Sequence, residues 1–60
     1  MFTTGQEVFS SNYGHGVVTR ILAGALVYPV EVTFHDGHVE WFTQGGRQFI
    51  MEDQPSLVKI

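Results

Sequence analysis

An all-β fold follows from three observations on this 60-residue sequence. Val30-Glu31-Val32-Thr33-Phe34 and Val39-Glu40-Trp41-Phe42 alternate in character on either side of Asp36-Gly37, and an Asp-Gly pair between alternating runs is a strong hairpin signal. Further short segments rich in β-branched residues are separated by glycine-containing turns. No stretch shows apolar spacing that would support a helix of useful length.

Taken in order, Gln6 to Ser10 reads as a first strand led by Gly5. Ser11-Asn12-Tyr13-Gly14-His15-Gly16 is turn-rich, because its two glycines permit positive φ. Val17 to Leu22 is β-branched and forms a second strand. Ala23-Gly24-Ala25-Leu26 turns the chain. Tyr28 to Phe34 and His38 to Thr43 are the arms of the hairpin, with Pro29 confined to a strand start or an edge because it donates no ladder hydrogen bond. Gln44-Gly45-Gly46 ends the hairpin and Arg47 to Ile50 is a short extended piece. Met51 to Ser56 is polar with room for one 3₁₀ turn, and Leu57 to Ile60 returns as the closing strand.

The length of the hairpin loop decides which side chains face inward. A two-residue Asp36-Gly37 loop sets His35 opposite His38, Phe34 opposite Val39, Val32 opposite Trp41 and Val30 opposite Thr43. Val30, Val32, Phe34, Val39 and Trp41 then share the core side, and Phe42 emerges on the polar face. A three-residue loop instead sets Val32 against Glu40 and Thr33 against Val39, mixing the faces. The pattern favours the two-residue loop.

Sixty residues allow one domain, 1–60, with one small core. Such a chain buries only about 60% of its unfolded surface, so its stability is expected to be a few kcal/mol. Apolar content of 43% with eight aromatics places it among folding chains, not disordered ones. With no cysteine there is no disulfide framework and no thiolate zinc site. Five short strands are too few for an ordinary sandwich, whereas a strongly bent barrel limits exposed edges. The expected architecture is therefore a small five-stranded SH3-like barrel.

The residues also resemble known families. Gly5-x-x-Val8, Tyr13-Gly14-x-Gly16-x-Val18 and Val32-x-Phe34-x-x-Gly37 are similar to the Tudor/KOW-like small barrels found at the C-terminus of UvrD/PcrA-type helicases and in the RNA-polymerase-interacting domain of CarD-like regulators. Tyr28-Pro29-Val30-x-Val32-x-Phe34, Phe42-Thr43-x-x-Gly46-Arg47 and Pro55-Ser56-Leu57 resemble small phage and prophage proteins of uncharacterised function. The resemblance spans nearly the whole chain, but its motifs are turn glycines and core positions, which speak to fold more than to function. The polymerase-binding relatives imply protein contact through a strand edge.

The candidate chemistry is thin. His35 and His38, as cross-strand neighbours with Cβ atoms about 5 Å apart, are weak metal candidates beside Glu40. A structural site needs about four ligands, and exposed turn histidines are the simpler reading. Gly14-His15-Gly16 lacks both the Lys-Ser/Thr of a P-loop and a following helix, so a tight turn explains it better. Serines, histidines and aspartates occur, but no nucleophile-elbow pattern surrounds Ser10, Ser11 or Ser56. No catalytic residue, metal or cofactor is expected, and an enzyme is not expected.

Surface contact is the better prospect. Phe42, emerging on the polar face, and Tyr13, in the preceding turn, form a candidate aromatic patch for a protein partner. The equal alternative is that the carboxy-terminal segment covers them, since a small barrel is buried from both sides where its sheet curls. Trp41 on the core side counts against an aromatic cage for a methylated cation. Arg20 and Arg47 join the candidate set because arginine is enriched at binding hot spots. A surface ion pair, with Arg47 reaching Glu31 or Glu40, is the plainer alternative.

Six acids against three Lys/Arg give a net charge of −3, which disfavours nucleic acid as a partner. The N-terminus has neither a basic n-region nor an apolar h-region, and no run approaches the roughly 20 apolar residues of a membrane span. A cytoplasmic location without membrane contact is the expectation. Three function classes remain: a non-enzymatic module that binds a host or phage protein, a KOW/Tudor-like nucleic-acid binder, and a self-associating structural unit. The first is preferred.

Overall fold

Val30, Val32, Phe34 and Phe42 of the alternating segments gather on one side of a single curled sheet. The structure is a computed structural model that describes residues 1–24 and 27–60. Five strands, β1 (Glu7–Ser10), β2 (Gly14–Ile21), β3 (Val30–Phe34), β4 (Val39–Phe42) and β5 (Leu57–Lys59), pair antiparallel in the order β4-β3-β2-β1-β5. The sheet bends into a half-barrel, and no helix occurs among the described residues. Val8, Val18, Val30, Val32, Phe34, Phe42 and Leu57 fill the concave side together with Phe2, and Tyr13 and Ile21 pack against them. Phe2 enters this core from outside any strand, its N–H donating to Gln44 Oε1 at 2.8 Å.

The hairpin loop has three residues, not two. Phe34 N–H donates to His38 O at 2.8 Å and Gly37 N–H donates to Phe34 O at 2.9 Å, so Phe34 is paired with His38 across His35-Asp36-Gly37. Gly37 has φ +92° while no non-glycine residue among those described has positive φ. A two-residue Asp-Gly loop of the favoured type I′ needs positive φ at both positions, which is costly for Asp36. A type I turn followed by a left-handed glycine needs it at Gly37 alone. Asp36 adds a further reason, since its Oδ1 accepts the His38 N–H at 2.9 Å.

The consequence is a one-residue shift along β4. The observed pairs are Val30 with Phe42, Glu31 with Trp41, Val32 with Glu40 and Thr33 with Val39. Because strand side chains alternate, the shift reverses every face of β4. Phe42 is fully buried in the core. Trp41 and Val39, expected inside, lie on the convex face with Glu31 and Thr33. A buried indole would have needed a hydrogen-bond partner for its N–H, a demand that phenylalanine does not make.

A second irregularity adjusts β2. Val18 pairs with Val32 but Arg20 pairs with Glu31, a β-bulge at Thr19. Strict alternation after Val18 would turn Arg20 into the core and Ile21 out of it. The extra residue resets the phase, so Arg20 is exposed and Ile21 packs against the core.

Other boundaries differ from expectation in a similar way. β2 starts at Gly14, ahead of Val17, because Gly14, His15 and Gly16 pair with Ser10, Phe9 and Val8. The turn expected at 23–26 is present at Ala23 and Gly24, and its second half lies outside the described residues. Arg47 to Ile50 is not extended, and no 3₁₀ turn forms over 51–56. Residues 43–56 instead form a long connection of bends and turns whose hydrogen bonds join the end of β4 to β5. Gly46 O accepts from both Ser56 N–H, 3.0 Å, and Leu57 N–H, 2.9 Å. A Cβ on Gly46 would stand 2.5 Å from Leu57 O, and φ there is +88°.

Two substitutions test this arrangement. Phe42→Ala is expected to cost about 3–5 kcal/mol, the range for emptying a buried aromatic site, read by urea unfolding through Trp41 fluorescence. A cost within about 0.5 kcal/mol would mean an exposed side chain and the other register. Gly46→Ala is expected to destabilise by about 1–3 kcal/mol or more from the strained backbone alone, and a circular-dichroism melt unchanged from wild type would remove the seam from the account.

Candidate functional site

The convex face of β2, β3 and β4 carries one ordered polar-aromatic row. Arg20, Glu31 and Trp41 are cross-strand neighbours. The Arg20 guanidinium lies over the Trp41 ring, 5.5 Å from its centroid, and donates to Glu31 Oε2 at 3.2 Å. Thr19, the bulge residue, donates to Glu31 Oε1 at 2.9 Å and lies 3.2 Å from Thr33 Oγ1. Glu31 is thereby held by two neighbours. An exposed ion pair of this kind contributes at most about 1 kcal/mol, so the row orders the surface more than it stabilises the fold.

β4 is one edge of the sheet, and among the described residues its outer side has no strand partner. His38 O accepts inward from Phe34 N–H, so by alternation Glu40 and Phe42 also bond inward. The N–H and C=O groups of Val39 and Trp41 therefore point away from β3. Val39 is 47% exposed beside them.

At the β3–β4 turn the aromatic rings are shared among several elements. Tyr13 is stacked on His38, with centroids 4.8 Å apart, and packs on Phe34 at 5.0 Å. Its hydroxyl accepts from Gln48 Nε2 at 2.7 Å, and Gln48 also donates to Glu40 Oε1. His38 Nε2 is hydrogen-bonded to Glu40 Oε2. His35 stacks on His15, at 5.9 Å, and His15 meets Phe9 edge-on.

The long connection ends in an apolar tip. Phe49, Ile50 and Met51 are 58%, 61% and 86% exposed. The turn beneath them is densely hydrogen-bonded. Glu52 Oε1 accepts from the N–H groups of Gln48 and Phe49, at 2.6 and 2.8 Å, and Glu52 N–H donates to Phe49 O. Arg47 Nε donates to Glu52 O at 2.9 Å, and a second guanidinium nitrogen reaches Asp53 O. Ile50 N–H donates to Tyr28 Oη at 3.1 Å, tying the tip to the residue before Pro29.

The residues expected from the sequence are thus dispersed. Phe42 is interior and cannot meet a partner. Tyr13 is half-buried and bridges the core rim to Gln48. Arg47 binds main-chain carbonyls of its own loop, not Glu31 or Glu40. Arg20 alone remains on an accessible face. His35 and His38 are not opposite one another, because the three-residue loop pairs His38 with Phe34. Among the described residues no group of three or more metal-ligating side chains converges.

The three cations are also apart. Arg20 is on the convex face, Arg47 is within the loop, and Lys59 stands 5.7 Å over the Phe2 ring. Lys59 also lowers the pKa of the exposed Met1 amino group, first by a hydrogen bond and then by charge. No helix among the described residues is long and apolar enough to cross a membrane.

Trp41, Val39 and the Phe49-Ile50-Met51 tip are the surface features that sequence reasoning missed. The first two were hidden by the loop length. The tip had a visible signal, three consecutive apolar residues between Gln48 and Glu52, since such runs belong either to a core or to a contact surface. No protein-family model matches the chain, and no match is found among curated proteins or solved structures.

Glu52→Ala should loosen the tip without unfolding the barrel. The amide protons of Gln48 and Phe49 lose their common acceptor, and their hydrogen exchange is expected to accelerate about tenfold or more while that of Val18 is unchanged. Equal exchange at all three amides in both proteins would show that the carboxylate does not hold the turn.

Proposed function

We propose that this chain is a non-enzymatic protein-interaction module built on a small SH3-like, Tudor/KOW-like barrel, acting as a regulator or adaptor of the phage and prophage type. One observation carries the reading: among the described residues the outer edge of β4 has no strand partner, and it is bordered by exposed Val39 and by Trp41 beneath Arg20. An edge of this kind offers main-chain donors and acceptors to an extended segment of a partner. The adjoining convex face offers an aromatic ring and an arginine, two residue types enriched where binding energy concentrates. Separation of the three cations argues for protein over nucleic acid, which is usually met by a continuous basic surface.

Proline at position 39 tests the edge directly. The Val39 N–H points outward, so Val39→Pro removes an edge donor without removing a bond to β3. Capture from producing cells is expected to yield at least tenfold less partner with Val39→Pro, and less with Arg20→Ala, than with wild type. Equal capture by all three folded proteins would refute contact through this edge.

A further inference from the structure

A different surface, the tip of the β4–β5 connection, points to a second contact with its own partner chemistry. We infer that Phe49, Ile50 and Met51 form a preorganised wedge that docks into an apolar groove on another protein, a groove rimmed by lysine or arginine.

The first argument is solvation. The core closes without these three side chains, yet they stand in succession on a turn where small or polar residues are usual. Such a run is unfavourable in water and favourable once covered. The second argument is order. The Glu52 carboxylate, the Arg47 guanidinium and the Tyr28 hydroxyl all bind main-chain groups of the turn. A wedge already held in shape loses less conformational freedom on binding than a mobile loop.

Charge then selects the occupant. Glu52 and Asp53 follow the tip directly, and Glu40 contacts its base through Gln48. The guanidinium of Arg47 is directed at the carbonyls of Glu52 and Asp53. An anionic bilayer would meet these carboxylates, whereas interfacial segments set Lys or Arg beside their apolar residues. A second copy of the chain is also a poor fit. Arg20 is engaged with Glu31 and Trp41, Arg47 with the turn, and Lys59 lies over Phe2, so the described surface has no basic rim to offer. A groove with cationic edges on a different protein satisfies both the apolar tip and its acidic base.

The test uses the full chain with Met51, the most exposed of the three, replaced by p-benzoylphenylalanine and irradiated in the cells that produce it. The expected result is one dominant adduct to another protein, mapping to an apolar surface segment flanked by Lys or Arg. Adduct yield should fall at least tenfold with Ile50→Asp and severalfold with Asp53→Lys, and the same photoprobe at exposed Thr4 should give no such adduct. Trp41 emission and the urea midpoint establish that each variant is folded, and Phe49→Ser substitutes for Ile50→Asp if the latter is not. Four results would overturn the inference: no adduct, an adduct only to the chain itself, a yield that follows Val39→Pro but not Ile50→Asp, or Ile50-dependent flotation with phosphatidylcholine–phosphatidylglycerol vesicles. The third of these would leave the β4 edge standing and remove the wedge alone.

Discussion

Gly37 carries the conformation on which the arrangement of this protein turns. Its left-handed backbone lets Asp36 remain in an ordinary conformation, and together they fix a three-residue loop with Phe34 opposite His38. Everything along β4 follows from that pairing, because a shift of one residue exchanges the two faces of a strand. Phe42 completes the interior beside Val30 and Phe34, while Trp41 is delivered to the convex face where Arg20 covers it. The same pairing turns the main-chain groups of Val39 and Trp41 toward open solvent, which creates the edge proposed as a contact site.

The open side of the half-barrel is ordered by loop chemistry. Five short strands leave β4 and β5 at opposite ends of the sheet, and the 43–56 connection is tied to the start of β5 through Gly46 O. Phe2 packs at this seam, within 3.4 Å of where a Gly46 side chain would stand. The polar residues of the connection do not simply solvate it. Arg47, Gln48 and Glu52 are committed to main-chain or cross-loop hydrogen bonds, and that commitment leaves Phe49, Ile50 and Met51 outside. A charged residue here acts mostly as scaffolding for an apolar surface, an inversion of the usual division between core and contact residues.

The two candidate surfaces differ in what they offer. The β4 edge presents backbone, whose recognition is tolerant of sequence, with Trp41 and Arg20 to add preference. The tip presents side chains whose recognition depends on groove shape and rim charge. A module with both can hold an extended segment and a folded surface at once, and linked contacts gain from effective concentration without requiring either to be strong.

The sequence by itself determined the all-β class, the five strands to within a few residues and the inward side of β3. These rest on local information: β-branched content, alternation and glycine turns are written in consecutive residues. Val30, Val32 and Phe34 are legible in the core for that reason. Only the tertiary structure decided which of Trp41 and Phe42 faces inward, because both loop lengths are compatible with Asp36-Gly37 and the choice depends on φ at one aspartate and on what the filled interior accepts. It also decided the roles of Arg20 and Arg47. The bulge at Thr19 sends Arg20 to the convex face, and distant carbonyls in the folded loop claim Arg47. The exposure of Phe49, Ile50 and Met51 was beyond local reading as well, since whether an apolar run is buried depends on whether the core still has room for it.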